Sequence, residues 1–199
     1  MLTEYMDLLQ RVFEQFAGRE MPTQLRTQLT QLARVRHYEK DAVLLSVGEM
    51  PVEIFFICKG LCRSFYLDKE GNDVTRFFIL EGDFCFTEIQ ILAEKSELCI
   101  ETLEPCDGLV FQLKDLELLC HSDFLKDVYI QALMQNIRYK IKRERTFLLG
   151  TATGRYLDFQ QRYPGLEKRI KQSHLASYLG VLPSSLSRIR RTLHGHEND

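Results

Sequence analysis

Residues 172–191 read QSHLASYLGVLPSSLSRIRR, and this stretch predicts two helices joined by a tight turn. Gly180 suits the left-handed conformation that ends a helix, which glycine adopts at little cost. Pro183 suits the first turn of the next helix, where no intrahelical N–H is needed. Apolar residues at helical spacing give both helices an inner face: Leu175, Ala176, Leu179, Leu186 and Ile189. The stretch therefore predicts a helix–turn–helix.

The outward face of this motif carries serines and arginines that suit the major groove of DNA. Arg188 can present two parallel donors to guanine, while Arg190, Arg191 and Lys171 can contact phosphates. The predicted DNA-binding set is Lys171, Gln172, Ser173, Ser184, Ser185, Ser187, Arg188, Arg190 and Arg191. The alternative is a helical hairpin with an ordinary polar face.

The formal net charge of −2 hides two electrostatic halves. Residues 1–137 hold 13 basic and 23 acidic residues, whereas residues 138–191 hold 13 basic and 3 acidic ones. A segment with a net charge of +10 is typical of a surface that meets a polyanion. Charge alone fits a solvated basic face equally well, so the helix–turn–helix motif decides in favour of DNA.

The composition of the 199 residues, 45% apolar and 27% charged, indicates an ordinary folded chain. No apolar run is long enough to cross a bilayer. The first residues, MLTEYMD, lack a secretory pattern, so we expect a cytoplasmic protein that does not contact a membrane. The six cysteines have no C-x-x-C spacing, which favours buried free thiols, with a redox or metal sensor left as the alternative.

Residues 37–113 predict an antiparallel jelly roll of about eight strands. Runs of Val, Ile, Phe and Tyr alternate with turn residues, and Gly48, Gly60, Gly71 and Gly82 recur at spacings of 12, 11 and 11. Residues 68–73 predict a hairpin turn. Two helices are expected before the jelly roll, over residues 2–16 and 22–32.

Residues 123–150 predict a long helix with an apolar seam at heptad spacing, interrupted once by Glu144. The seam consists of Ile130, Met134, Ile137, Ile141 and Leu148. We interpret it as a homodimer interface, and a helix buried between two domains is the alternative. Residues 151–154 predict a hinge, followed by a helix over 155–163. The expected domains are a sensor over 1–121, a dimerisation helix over 122–150 and a DNA-binding domain over 151–199.

The order of acidic β-barrel, heptad helix and basic helix–turn–helix resembles the Crp/Fnr family of bacterial transcription regulators. The most specific motifs are residues 176–180 (ASYLG), 185–190 (SLSRIR) and the barrel series 48–49, 59–60, 70–71 and 81–84. The resemblance implies an α+β fold with a cyclic-nucleotide-binding-like jelly roll and a winged helix, here with a truncated wing. It also implies a palindromic DNA operator, RNA polymerase and an unidentified small-molecule effector as partners. By similarity, Arg188 matches the family's base-contacting arginine.

The resemblance fails at the cyclic-nucleotide cassette, where the family has Gly-Glu followed by Arg-Ser or Arg-Thr. The corresponding positions here are Thr87-Glu88 and Ser96-Glu97. Glu88 can still accept a hydrogen bond from a ribose hydroxyl. The arginine that would pair with a cyclic phosphate is missing, however, and the carboxylate of Glu97 beside its place repels that phosphate. These four residues are the candidate effector pocket, and cyclic AMP binding is not expected. Leu182, where family members often have Ser or Thr, cannot cap the second helix.

Catalytic and cofactor motifs are not found in the sequence, so neither an enzyme nor a cofactor or metal site is expected. His37 and Cys85 qualify as haem ligands by residue type only. The leading hypothesis is a homodimeric DNA-binding regulator. The alternative is a ligand- or redox-sensing protein whose helix–turn–helix serves protein contacts.

Overall fold

A computed structural model describes residues 1–85, 94–117, 119 and 121–195. The chain begins with two helices, α1 over Leu2–Ala17 and α2 over Thr23–Leu32. Helix α1 ends at Gly18 in the left-handed conformation, with φ of 67°. Apolar residues of both helices join the core, namely Met6, Leu9, Phe13, Leu25 and Leu29. The two helices predicted from apolar periodicity are confirmed.

Eight strands follow within the described residues: β1 Arg34–Tyr38, β2 Val43–Leu45, β3 Glu53–Lys59, β4 Cys62–Leu67, β5 Asp73–Ile79, β6 Phe84–Cys85, β7 Cys99–Thr102 and β8 Cys106–Gln112. They form two four-stranded sheets, ordered β1-β8-β3-β6 and β2-β7-β4-β5. The pairs β1/β8, β3/β8, β3/β6, β2/β7 and β4/β7 are antiparallel. The two sheets confirm the predicted jelly-roll-like fold.

The hairpin turn between β4 and β5 follows the prediction for residues 68–73. One carboxylate oxygen of Asp68 accepts the backbone N–H groups of Glu70 and Asn72, at 2.9 and 2.8 Å. Gly71 takes a φ of 82° at the tip. The turn is therefore fixed by an Asp side chain and a glycine, the two residue types that suit it.

The cysteines of the barrel are free thiols. Cys62, Cys85, Cys99 and Cys106 are buried and Cys58 is half-buried, while Cys120 lies outside the described residues. Burial raises the pKa of the Cys58 thiol to about 12. The neighbouring Cys62 thiol, 3.8 Å away, raises the pKa of Cys106, and burial adds to the effect. The raised pKa values keep the thiols of Cys58 and Cys106 protonated and unreactive.

The second half of the chain is helical: α3 Leu113–Glu117, α4 Asp123–Leu149, α5 Ala152–Arg162, a 3-10 turn over Leu166–Lys168, α6 Gln172–Leu179 and α7 Pro183–Gly195. Helix α4 confirms the predicted long helix. The hinge expected over residues 151–154 is shorter in the structure, because α5 already begins at Ala152. Thr151 caps this helix, and its hydroxyl accepts a hydrogen bond from the N–H of Gly154 at 3.1 Å. Only Gly150 and Thr151 separate α4 from α5.

The chain forms two compact units. The first contains Met1–Phe65 and Phe78–Asn136, and the second contains Tyr66–Phe77 and Ile137–Asp199. The division falls within α4, and the tip of the β4–β5 hairpin belongs with the C-terminal helices. The functional domains expected over 1–121, 122–150 and 151–199 remain predictions. Within the described part of the chain, no helix combines the length and apolar character needed to span a bilayer.

Candidate nucleic-acid interface

Helices α6 and α7 pack through the inner face that the sequence predicts. Leu175 and Leu186 are completely buried, and Ala176 is 1% exposed. Gly180 ends α6 with a φ of 64°, and the next N–H, that of Val181, donates to the Ala176 carbonyl at 3.0 Å. Pro183 opens α7 as predicted. The predicted pair of helices joined by a tight turn is therefore present.

The outer face of α7 presents the predicted serines and arginines to solvent. Ser184, Ser187, Arg188 and Arg191 are exposed, and Ser185 is half-buried. The Arg188 guanidinium donates to the Ser185 hydroxyl at 3.4 Å, so the two side chains lie on the same part of the helix surface. This face offers planar guanidinium donors beside small hydroxyls, a combination that matches base edges and phosphates.

The start of α6 adds three more predicted residues to this surface. Lys171, Gln172 and Ser173 are all exposed. The Gln172 side-chain amide donates to the Ser187 hydroxyl at 2.8 Å and to the Pro183 carbonyl at 3.3 Å. These hydrogen bonds join the beginning of α6 to the first turn of α7, so the structure brings the two groups of predicted residues together.

Arg190 is positioned differently from the other predicted residues. Its guanidinium forms an ion pair with Glu167 at 2.5 Å, and its side chain is only 27% exposed. The Tyr156 hydroxyl also donates to both Glu167 oxygens, at 3.0 and 2.9 Å, and Tyr156 is 1% exposed. Burial raises the pKa of Tyr156, so its hydroxyl remains a donor. Arg190 is therefore part of an internal polar network, and its phosphate contact stays a prediction.

Two further arginines, which the sequence reasoning did not single out, hold the end of α6. Arg143 donates to the Tyr178 carbonyl at 2.9 Å, and Arg155 donates to the Leu179 carbonyl at 2.8 Å. The Arg143 guanidinium also lies 4.1 Å from the centre of the Tyr178 ring. Cations at a helix C-terminus satisfy its unpaired carbonyls. Part of the positive charge of residues 138–191 thus stabilises the motif itself.

The predicted effector pocket is only partly described. Thr87 and Glu88 lie outside the described residues. Ser96 is 2% exposed, and its hydroxyl donates to the Leu98 carbonyl at 2.7 Å, which makes it a loop-stabilising residue. Glu97 is exposed. The two described pocket residues therefore lie in different environments, Ser96 buried in the loop and Glu97 exposed. The effector assignment remains a prediction.

The seam of α4 is exposed on the single chain. Its apolar side chains are 47–74% exposed, namely Ile130, Met134, Ile137, Ile141 and Leu148. Large apolar side chains that repeat on one stripe of a helix favour burial against a partner.

Residues 35–123 match the family of cyclic nucleotide-binding domains. Among solved structures, FixK2 of Bradyrhizobium japonicum is 20% identical with a TM-score of 0.69, covering 83% of this chain and 86% of its own. A second structure, the c-di-GMP responsive global regulator CLP of Xanthomonas campestris, is 12% identical with a TM-score of 0.70, covering 88% and 93%. A third, a protein of Eubacterium rectale assigned to the crp/fnr family of transcriptional regulators, is 14% identical with a TM-score of 0.70, covering 88% and 85%. The chain shares its fold with these three proteins. No curated protein matches the sequence.

The shared fold confirms the fold that the resemblance to the Crp/Fnr family implied. The match over residues 35–123 covers the jelly roll, and the structural matches each cover more than four fifths of the chain. The exposed face of α7 therefore occurs in a fold shared with transcription regulators. Identities of 12–20% establish the fold alone.

Proposed function

We propose that this protein is a homodimeric, sequence-specific DNA-binding transcription regulator of the Crp/Fnr type, with no enzymatic activity. The observation that carries the proposal is the face of α7, where Ser184, Ser187, Arg188 and Arg191 are exposed within a segment of net charge +10. Helix α7 enters the major groove, where Arg188 pairs with a guanine. Arg191 and Lys171 contact phosphates, which adds affinity without sequence preference.

The exposed seam of α4 supports the homodimer. In a parallel pair of α4 helices, the apolar side chains would leave solvent and pack against their counterparts. A two-fold dimer presents two copies of α7, so the operator is palindromic, with half-sites about 34 Å apart. Regulation follows from the joint at Gly150 and Thr151, since a change in the sensor that reaches α4 alters the spacing of the two recognition helices. The regulator then acts on transcription through RNA polymerase.

The proposal includes a sensor that does not bind cyclic AMP. Ser96 stands where the cassette needs an arginine, and the carboxylate of Glu97 beside it is exposed. The nearest cation in sequence, Lys95, lacks the planar fork that grips a phosphate. We expect no saturable binding of cyclic AMP in calorimetry with the full chain, and saturation at micromolar concentration would contradict this part of the proposal.

Selection from a pool of random duplexes, followed by gel-shift assays, tests DNA recognition. We expect enrichment of a palindrome and retention of the enriched duplex by the wild-type protein. The absence of any enriched palindrome would favour the alternative, in which the helix pair contacts a protein. Leu182 motivates that alternative, because this apolar residue directly before α7 is 70% exposed.

Sedimentation of variants tests the dimer separately. Ile137→Glu places a carboxylate in the seam, and we expect the dimer dissociation constant to rise about 100-fold, equivalent to about 2.7 kcal/mol. Gln135→Glu adds the same charge at an exposed position two residues away, outside the seam, and should leave the dimer intact. A wild-type protein that sediments as a monomer at all concentrations would eliminate the proposed arrangement.

A further inference from the structure

The barrel contains a cavity of about 390 Å³ that neither of the described effector residues, Ser96 and Glu97, lines. Its walls come from both sheets, with Phe55, Val110 and Cys85 on one side and Leu45 and Ile100 on the other. All five of these residues are buried. The volume lies in the range of small-molecule sites, and the floor is apolar, as is usual for such sites.

Among the described residues that line the cavity, the charged side chains are both carboxylates. Glu49 lies between β2 and β3, Glu53 is the first residue of β3, and both line the cavity. Glu49 is held by the Ser46 backbone N–H, which donates to one carboxylate oxygen at 2.8 Å. Glu53 accepts a hydrogen bond from the Gln112 side-chain amide. Both carboxylates are thus oriented by neighbours.

Aromatic groups complete the wall. Tyr38 lines the cavity, and its ring meets Phe55 edge-on, with ring centres 5.0 Å apart and planes at 79°. Burial raises the pKa of the Tyr38 hydroxyl, so it remains a neutral donor. Among the described residues that line the cavity there is no lysine, arginine or histidine. Carboxylates beside aromatic rings attract a cation and repel an anion.

We propose that this cavity binds a small organic cation with an apolar body, such as a protonated arylalkyl amine. The ammonium group lies by the carboxylates of Glu53 and Glu49, and the apolar body occupies the space between Phe55, Ile100 and Val110. The carboxylates favour the cation over a neutral ligand of the same shape, and they disfavour a phosphate. The inference rests on the proposed function only in treating the ligand as an effector, since binding itself requires no DNA.

Calorimetry with the full chain tests the proposal using three probes of similar size: 2-phenylethylamine, 2-phenylethanol and phenylacetate, which are cationic, neutral and anionic. We expect the amine to bind most tightly, the alcohol more weakly and phenylacetate least. Glu53→Gln should weaken amine binding about tenfold and leave the alcohol within about twofold of wild type. Glu20→Gln, which removes the same charge from an exposed position that does not line the cavity, should leave amine binding unchanged.

Three results would overturn the proposal: tighter binding of phenylacetate than of the amine, equal affinity for all three probes, or no binding of any probe at millimolar concentration. A gel shift on the same protein preparation distinguishes failure of the cavity proposal from failure of the proposed function. If the enriched duplex is still bound, the cavity assignment is wrong while DNA recognition stands. If neither ligand nor duplex binds, both are rejected.

Discussion

The hydroxyl of Ser177 in helix α6 accepts a hydrogen bond from the backbone N–H of Thr75, 2.8 Å away in strand β5. The same hydroxyl donates to the Asp73 carbonyl at 3.1 Å. One side chain thus bridges two backbone groups of the hairpin, across more than a hundred residues of sequence. Since α6 packs against α7, this contact attaches the pair of helices to the tip of the β4–β5 hairpin, which belongs to the same compact unit.

Replacing Ser177 by alanine should loosen this attachment. The Thr75 N–H loses its hydrogen bond to the Ser177 hydroxyl, and because Thr75 is 1% exposed, water cannot readily replace that hydroxyl. We expect a loss of about 1–3 kcal/mol in the free energy of unfolding and faster hydrogen exchange of the Thr75 amide. Ser173→Ala, at an exposed position of the same helix, should change neither quantity. Unchanged exchange at Thr75 in the Ser177 variant would show that the contact does not persist in solution.

The sequence predicted the features that depend on short-range patterns. The seam of α4, the turn at Asp68 to Asn72 and the αL residue Gly180 are each specified within a few residues, through helical period, an Asp side chain or glycine. The same helical period defines the exposed face of α7, since burial of Leu186 leaves Arg188 on the outside. Most of the candidate interface could therefore be found without a structure.

Pairings between distant residues could not be predicted in the same way. The Arg190–Glu167 ion pair and the Ser177–Thr75 hydrogen bond join separate elements, and no local period or spacing encodes them. The charge of Arg190 suggested a phosphate contact, but helical periodicity does not show which neighbouring element lies beside each side chain. The cavity near Tyr38 could not be predicted for the same reason, since its walls come from strands that are distant in sequence.

Gly180→Ala tests the packing of the turn between α6 and α7. Gly180 has a φ of 64°, and a Cβ there would lie 2.9 Å from a ring carbon of Phe147. Gly165 has a similar φ of 76°, but its Cβ would meet nothing within 4 Å. Backbone strain alone should therefore cost about 1–2 kcal/mol in Gly165→Ala, while Gly180→Ala should cost about 1 kcal/mol more. Equal losses in denaturant unfolding would show that Phe147 moves aside freely.

His37 provides a pH-dependent test of the barrel. Its Nδ1 lies 2.7 Å from a carboxylate oxygen of Asp107, its cross-strand neighbour on β8. The hydrogen bond to Asp107 raises the pKa of His37 above 6.5. We expect a titration midpoint above about 6.5 in NMR spectra of the native protein, and a lower midpoint in Asp107→Asn.

The sign of the linked stability change follows from that shift. Because the pKa of His37 is higher in the folded chain than in the unfolded one, the protonated pair stabilises the fold fully below about pH 6.5. This contribution disappears as the pH rises through the folded pKa. The stability difference between wild type and Asp107→Asn should therefore be larger at about pH 6 than at about pH 9. A difference independent of pH would mean that the pair does not form.

Arg188 and Arg191 separate base recognition from phosphate contact. Both side chains are exposed on α7, and Arg188 lies by the Ser185 hydroxyl. Arg188→Ala should weaken binding to the enriched duplex by about 1–3 kcal/mol and relax base preference at one position of each half-site. Arg191→Ala should weaken binding to all duplexes alike and reduce the slope of log affinity against log salt by about one per subunit. Gel shifts on the enriched and scrambled duplexes at several salt concentrations measure both effects. Equal losses from the two variants on every duplex would reject these roles and leave α7 with electrostatic binding only.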